Sequence, residues 1–239
     1  MENLLLIFLM SFGAAFVQRV SGFGFGIFIM TVLPFVLPSY GEATALSGML
    51  ALVTSLFITL RLRRFIPWHR LLPILLVFLA VSALAVMAVA SAPEAVLKRV
   101  LGVVLIVASI WFFCFSGRVQ VRPTLPVQFS LGTLSGLMGG FFGMQGPPAV
   151  LYFIATTRSK EEYMAMAQCY FLVGNVFMTL FRAHAGFLTP AVFHCWIYGI
   201  LGVALGAWIG AFVYRRIPLP LLRRIIYLYM AGSGVVMLL

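Results

Sequence analysis

The sequence predicts an all-α polytopic membrane protein made of two inverted repeats, each with a glycine-broken helical hairpin plus three transmembrane helices. Three observations carry that expectation. Of the 239 residues, 63% are hydrophobic and 9% are charged, where a soluble domain is about half apolar and a quarter charged. Eight apolar runs follow one another through short polar joints, and six have the length of a single crossing, about 20 residues. The other two are overlong and carry glycine clusters at matching places. No stretch is polar enough for an extramembrane domain, so residues 1–239 read as one transmembrane domain.

The first run, 3–38, would be about 54 Å long as one helix, against a hydrocarbon core near ~30 Å. It is interrupted by Ser21-Gly22-Phe23-Gly24-Phe25-Gly26, so two short helical pieces joined by irregular backbone are expected. Met1-Glu2-Asn3 leads directly into apolar residues with neither a basic lead nor a small-residue cleavage site; the run is read as a retained membrane segment. Runs 41–60, 71–91 and 97–115 are ordinary spans. Run 126–157 is again overlong and is broken at Gly139-Gly140-Phe141-Phe142-Gly143-Met144-Gln145-Gly146-Pro147-Pro148. Its two prolines remove two backbone donors and end a helix. Runs 162–181, 189–213 and 220–239 complete the set.

The repeated break points to an internal duplication of 1–119 by 120–239. Ser11 and Gly13 match Ser130 and Gly132, Gly24 matches Gly143, Glu42 matches Glu161 and Arg63 matches Arg182, all at an offset of 119. Loop charge then orients the halves. If each broken segment crossed once, the basic loop residues would divide almost evenly between the two sides. If each enters and returns as a hairpin, twelve lie on the side of the 61–70 loop (Arg61, Arg63, Arg64, Arg70, Arg118, Arg122, Arg158, Lys160, Arg215, Arg216, Arg223, Arg224) and three on the other (Lys98, Arg99, Arg182). The positive-inside bias selects the hairpins and therefore inverted repeats. It also accounts for the net charge of +11 without nucleic acid as a partner.

Several chemistries are excluded. The three cysteines, Cys114, Cys169 and Cys195, lie in apolar runs without metal-ligand spacing and read as small buried hydrophobes. The three histidines form no HxxxH pair, so neither a metal nor a cofactor is expected. There is no aspartate, no glutamate in mid-segment and no nucleophile paired with a base, so an enzyme is not indicated. Glu42 stands at a helix start, where it suits the positive end of the helix dipole.

Irregular backbone at membrane depth persists only where protein covers it or where it lines a wet cavity. One isolated glycine cluster would read as close helix packing. Two at matching places read as breaks meeting near the midplane, with backbone amides turned to an anion. The expected anion contacts are Gln18, Arg19, Ser21, Gly22, Gly24 and Gly26 at the first break, and Gly143, Met144, Gln145 and Gly146 at the second. Gln168 and Asn175 join them; seven residues apart, they share a helix face, and facing a cavity or holding helices together fits them equally. Arg19 also has two readings: an intramembrane cation that binds an anion, or a side chain reaching the headgroups. Ser135, Thr54 and Ser55 are weaker candidates. The expected partners are a small anion and lipid, and a homo-oligomer is left open.

The motifs Val20-Ser21-Gly22-Phe23-Gly24-Phe25-Gly26 with Pro34 following, and Leu137-Met138-Gly139-Gly140-Phe141-Phe142-Gly143 with Gly146-Pro147-Pro148 following, are similar to those of the TauE/SafE sulfite-exporter family, over essentially the whole chain. That family has glycine triplets followed by proline in both halves. Here phenylalanines interleave the first cluster, and Met144-Gln145 with a double proline replaces the second triplet. The resemblance implies secondary export of sulfite or an organosulfonate such as sulfoacetate across a bacterial inner membrane. A passive anion channel, or an importer of a related anion, is the alternative. If Arg19 binds the anion, Arg19→Ala abolishes flux in proteoliposomes while the protein remains folded; normal flux would remove it from the site.

Overall fold

The computed structural model describes residues 2–115 and 123–213, together with positions 228, 231–232, 234–235 and 238. The expected last span at 220–239 lies mostly outside the described residues, and Arg118, Arg122, Arg215, Arg216, Arg223 and Arg224 from the charge count lie wholly outside them. Every regular element among the described residues is helical.

Helix α1 is Glu2–Ser21, followed by the short α2 (Phe25–Ile29) and α3 (Leu33–Val36). The 3–38 run is therefore broken where its glycines stand, and then a second time before Leu33. Helix α4 (Tyr40–Leu62) opens with a capping box: Ser39 accepts from the Glu42 N–H, and Glu42 accepts from the Ser39 N–H. Two reciprocal bonds satisfy amides that a helix start otherwise leaves open. After a 3₁₀ turn at Arg63–Phe65 come α5 (Trp68–Val89) and α6 (Glu94–Phe115). The second overlong run forms α7 (Leu125–Phe142) and α8 (Gly146–Thr156). Helix α9 (Lys160–His184) is capped by Ser159, and α10 is Pro190–Val213.

Two details correct the sequence reading. The capping serines and their glutamates, Ser39 with Glu42 and Ser159 with Glu162, make Glu162 rather than Glu161 the counterpart of Glu42 in role. Arg182 is not a loop residue: it lies within α9 at 1% exposure, whereas Arg63 is exposed on its 3₁₀ turn. Cys114 also departs from expectation, being exposed while Cys169 and Cys195 are buried.

Five described helices are long and apolar enough to cross a bilayer: α1, α4 with its 3₁₀ extension, α5, α9 and α10. The surface agrees. Phe57, Leu84 and Trp208 face outward, while Gln18, Gln168, Asn175 and Arg182 are buried. A broad apolar exterior around a polar interior is costly in water and natural in lipid. The chain is a polytopic membrane protein.

Glycines set how the helices pair. Gly202, Gly206 and Gly210 of α10 lie against Phe8, Phe12 and Phe16 of α1 in that order, so these two helices run the same way. Gly132, Gly136 and Gly140 of α7 lie against Ile74, Phe78 and Ser82 of α5, again in parallel. Helices α4 and α9 are antiparallel: Gly41 meets Phe187 just beyond α9, Gly48 meets Thr179 and Arg182, and Gln18 joins Ser55 to Gln168. Small residues every fourth position bring backbones close enough for dispersion to hold helices together in lipid.

At one end of the bundle Arg70 Nη1 donates to Glu162 Oε1 at 3.2 Å and to the Thr156 carbonyl at 2.6 Å, tying the 61–70 joint to the α8–α9 joint. At the other, Thr189 Oγ1 donates to Glu42 Oε1 at 2.6 Å and the Tyr40 amide to Glu94 Oε1 at 3.0 Å. A Cβ at Gly206 would overlap the Phe12 carbonyl. Gly206→Leu should therefore destabilise by roughly 1–3 kcal/mol through overpacking, lowering the unfolding midpoint in detergent, while Ala204→Leu on the exposed face of α10 should leave it nearly unchanged.

Candidate functional site

The first break is closed locally. Gly22 takes φ 86°, so its N–H reaches the Gln18 carbonyl at 2.8 Å and ends α1. Ser21 turns its hydroxyl inward, donating to the carbonyls of Val17 at 2.8 Å or Phe23 at 2.6 Å. Gly24, at φ 98°, then starts α2. The second break ends α7 in a similar way: Gly143 takes φ 67°, and the amides of Gly143 and Met144 donate to the carbonyls of Gly139 and Met138 at 3.0 and 3.1 Å. Pro147 and Pro148 stand in the first turn of α8, where proline's missing donor costs least. Ser135 donates to the Gln145 carbonyl and accepts from Tyr170 Oη at 2.8 Å, which fixes the Gln145 backbone against α9.

The two breaks touch. A Cβ at Gly26 would overlap the carbonyl oxygen of Gly143, so the first turn of α2 rests directly on the peptide that ends α7. Beside this contact is a cavity of about 30 Å³, room for about two water molecules. Its walls are Phe25, Ile27, Ala51, Met144 and Phe171, with Gly24, Gly26 and Gly143 at the breaks and Gln18, Gln145 and Asn175 as polar side chains.

The polar side chains differ in what they have left to offer. Gln18 is 2% exposed and committed to the protein: Nε2 donates to Gln168 Oε1 at 3.0 Å and Ser55 Oγ at 3.3 Å, and Oε1 accepts from Thr54 Oγ1 at 2.9 Å. Gln145 Nε2 makes one long contact, 3.4 Å to the Phe171 carbonyl, and its Oε1 has no partner among the described residues. Asn175 faces the cavity. The amides of Phe25, Gly26 and Ile27 have no acceptor within α2, as in the first turn of any helix.

The cavity thus brings together Gln18, Gly24, Gly26, Gly143, Met144, Gln145 and Asn175 of the expected contacts. Arg19, Ser21, Gly22, Gly146 and Gln168 are not on its lining. Arg19 points to α10, with its Cβ and Cγ over Gly210, so Arg19→Ala tests the α1–α10 seam more than a cavity contact. Gly22 is covered by Tyr163 and Met164, and Gly146 packs on Phe23 and Phe171. Gln168 lies one layer back, donating to the Gly22 carbonyl at 2.8 Å. The amides of Gly22, Gly143 and Met144, expected to face an anion, are taken by carbonyls of their own helices, because ending a helix with a left-handed glycine turns those donors back on it.

Sequence reasoning missed Arg182, whose Nη2 donates to the carbonyls of Gly139 and Gly140 at 3.1 and 3.4 Å. The signal was present: Arg182 stands seven residues beyond Asn175, on the stripe that Asn175 shares with Gln168.

The profile of the family described as Sulfite exporter TauE/SafE matches residues 7–237. The chain belongs to the TauE/SafE family. Members of this family are membrane transporters and not enzymes. A relative from Cupriavidus necator, named "Probable sulfite/organosulfonate exporter TauE", is 25% identical over 230 residues, covering 93% of this chain and 88% of the relative. No solved structure matches the chain. Within this TauE/SafE fold, Gly26→Ala should clash with the Gly143 peptide and Gly143→Ala should strain a left-handed residue by about 1–2 kcal/mol. Both should lower the unfolding midpoint in detergent, Gly26→Ala the more because the clash is with backbone.

Proposed function

We propose that this protein is a secondary transporter that exports a small sulfur-containing anion, sulfite or an organosulfonate such as sulfoacetate, across the bacterial inner membrane. The anion is held between the two helix breaks by the first-turn amides of α2 and by the amide side chains of Gln145 and Asn175. The observation that carries this reading is the meeting of the breaks at Gly26 and Gly143 beside a cavity with uncommitted polar groups. The family match and the name of the relative support the substrate class.

The reading includes two inverted repeats, 1–119 and 120–239, and three observations support it. Helix α1 pairs with α10 as α7 pairs with α5, while α4 pairs with α9; a two-fold axis exchanging the halves generates that set of partners. The counterparts α4 and α9 run antiparallel. The 61–70 joint and the α8–α9 joint meet through Arg70 and Glu162, as hairpins that enter and return require; single crossings would put these joints on opposite sides. So small a cavity suits admission of the anion by rocking of one repeat against the other.

Voltage suffices as a driving force. An inside-negative potential favours exit by ~2.3 kcal/mol per charge per 100 mV, so no carboxylate proton relay is needed. Proteoliposomes under an imposed potential should show saturable uptake of labelled sulfite or sulfoacetate, accelerated by preloaded cold substrate. Flux that does not saturate would identify a channel, and no flux above empty liposomes would remove this substrate class. Asn175→Leu should cut the specificity of flux by about 10–100-fold, the effect of one lost hydrogen bond to a charged group, without lowering the yield of folded protein.

A further inference from the structure

Helices α4 and α9 face one another with polar stripes of the same period. Tyr40, Ser47 and Thr54 recur every seven residues on α4, and Gln168, Asn175 and Arg182 do so on α9, so each set shares one face of its helix. Because the helices are antiparallel, Thr54 and Gln168 meet at one end and Tyr40 and Arg182 stand towards the other. The seam is about 21 Å long at the helical rise. At the first end it is saturated: Thr54 and Gln168 both bond to Gln18.

The second end is not. Arg182 Nε and Nη1, Thr179 Oγ1, Ser47 Oγ and Tyr40 Oη are all buried with no hydrogen-bond partner among the described residues. Two of these groups gather beside Asn175 at Gly48. From the point where a Cβ would stand on Gly48, Arg182 Nη1 is at 3.0 Å, Thr179 Oγ1 at 3.4 Å and Asn175 Oδ1 at 3.9 Å. A side chain at 48 would press on the Arg182 guanidinium, so the glycine lets these groups gather there, and Asn175 links the cluster to the cavity, which it also lines. Ser47 Oγ lies towards the second break, 3.6 Å from a Cβ position on Gly143.

Arg182 makes no ion pair among the described residues. Glu42, at the same end, is engaged by the Ser39 amide and the Thr189 hydroxyl. A buried guanidinium is stable only when charge and hydrogen bonds compensate it. Its Nη2 caps the end of α7 through the Gly139 and Gly140 carbonyls, which leaves Nε and Nη1, on different edges of the guanidinium, without an acceptor. Nη1 is the charged donor that faces Thr179 and Asn175, and a charge-assisted bond to an oxyanion suits it.

We propose that Arg182, with Thr179, Ser47 and Tyr40, forms a second anion-binding site, next to the cavity on its outward side. This rests on the anion-transport reading above, and outward follows from the basic start of α9 at Arg158 and Lys160. An anion leaving the breaks passes Asn175 and is taken by the free Nη1 of the guanidinium, with the three hydroxyls donating to its remaining oxygens. An oxyanion such as sulfite or a sulfonate can give one oxygen to the guanidinium and others to the hydroxyls, whereas chloride has a single atom for all of these donors to share.

The test is the unfolding midpoint of purified protein in detergent, titrated with sodium sulfite, sodium sulfate or sodium chloride at ionic strength held constant with gluconate. Wild type should be stabilised saturably by the oxyanions. Arg182→Met should weaken the apparent affinity at least tenfold, and Ala204→Leu, on the exposed face of α10, should leave this response in place. Should Arg182→Met fail to fold, Thr179→Val with Ser47→Ala keeps both the charge and the α7 cap, and at least a threefold weakening is expected. A folded Arg182→Met, or that double variant, with the wild-type response overturns the proposal, as does a wild type that no anion stabilises. An Arg182-dependent response to sulfate with no flux of sulfite or sulfoacetate would sustain this site and remove the substrate assignment. Flux lost in Gln145→Leu but unchanged in Arg182→Met would do the reverse.

Discussion

The centre of the molecule depends on one contact, the first turn of α2 seated on the Gly143 peptide. Two stretches of irregular backbone lie within apolar segments, where unsatisfied amides and carbonyls cannot turn to water. Each break covers the other, and that is sterically allowed because residue 26 has no side chain. Left-handed glycines at 22 and 143 then fold the freed amides back onto α1 and α7. What stays available beside the contact is a small set of donors, and the transport reading uses that set.

Around this contact the helices divide the work. The pairs α1 with α10 and α5 with α7 are held by glycines against backbone and present apolar side chains outward. The antiparallel pair α4 and α9 carries about half of the buried polar residues, Arg182 among them. Gln18 is the junction between them: it belongs to α1, reaches Thr54 and Ser55 on α4, and bonds Gln168 on α9. A buried network is stable in proportion to how fully it is satisfied. The seam is therefore satisfied at the Gln18 end and left with unpartnered groups at the Arg182 end, a polarity that suits the proposed passage in steps from one polar station to the next.

Much of the fold was legible in residue order. A run of 36 residues cannot be one crossing, and the glycines at 22, 24 and 143 mark where the helices stop. Ser39 with Glu42 announces the start of α4, and Pro147-Pro148 the start of α8. The site was less legible. Gln18 and Gln145 look alike in sequence, yet one is saturated by three side chains and the other keeps a free oxygen. Arg19 is the more conspicuous arginine in sequence, inside an apolar run, but its stem packs on Gly210. Arg182, at the edge of a run, reads as a loop charge and is wholly buried.

Composition, run length and the two glycine clusters determined by themselves that this is a helical membrane protein with two broken segments, because the thickness of the bilayer and the cost of exposed backbone leave no other way to place those residues. The tertiary structure alone decided which polar groups remain free. Whether an amide or a guanidinium can meet a ligand depends on which neighbours from distant helices have already claimed it, and those neighbours are set by packing rather than by local order.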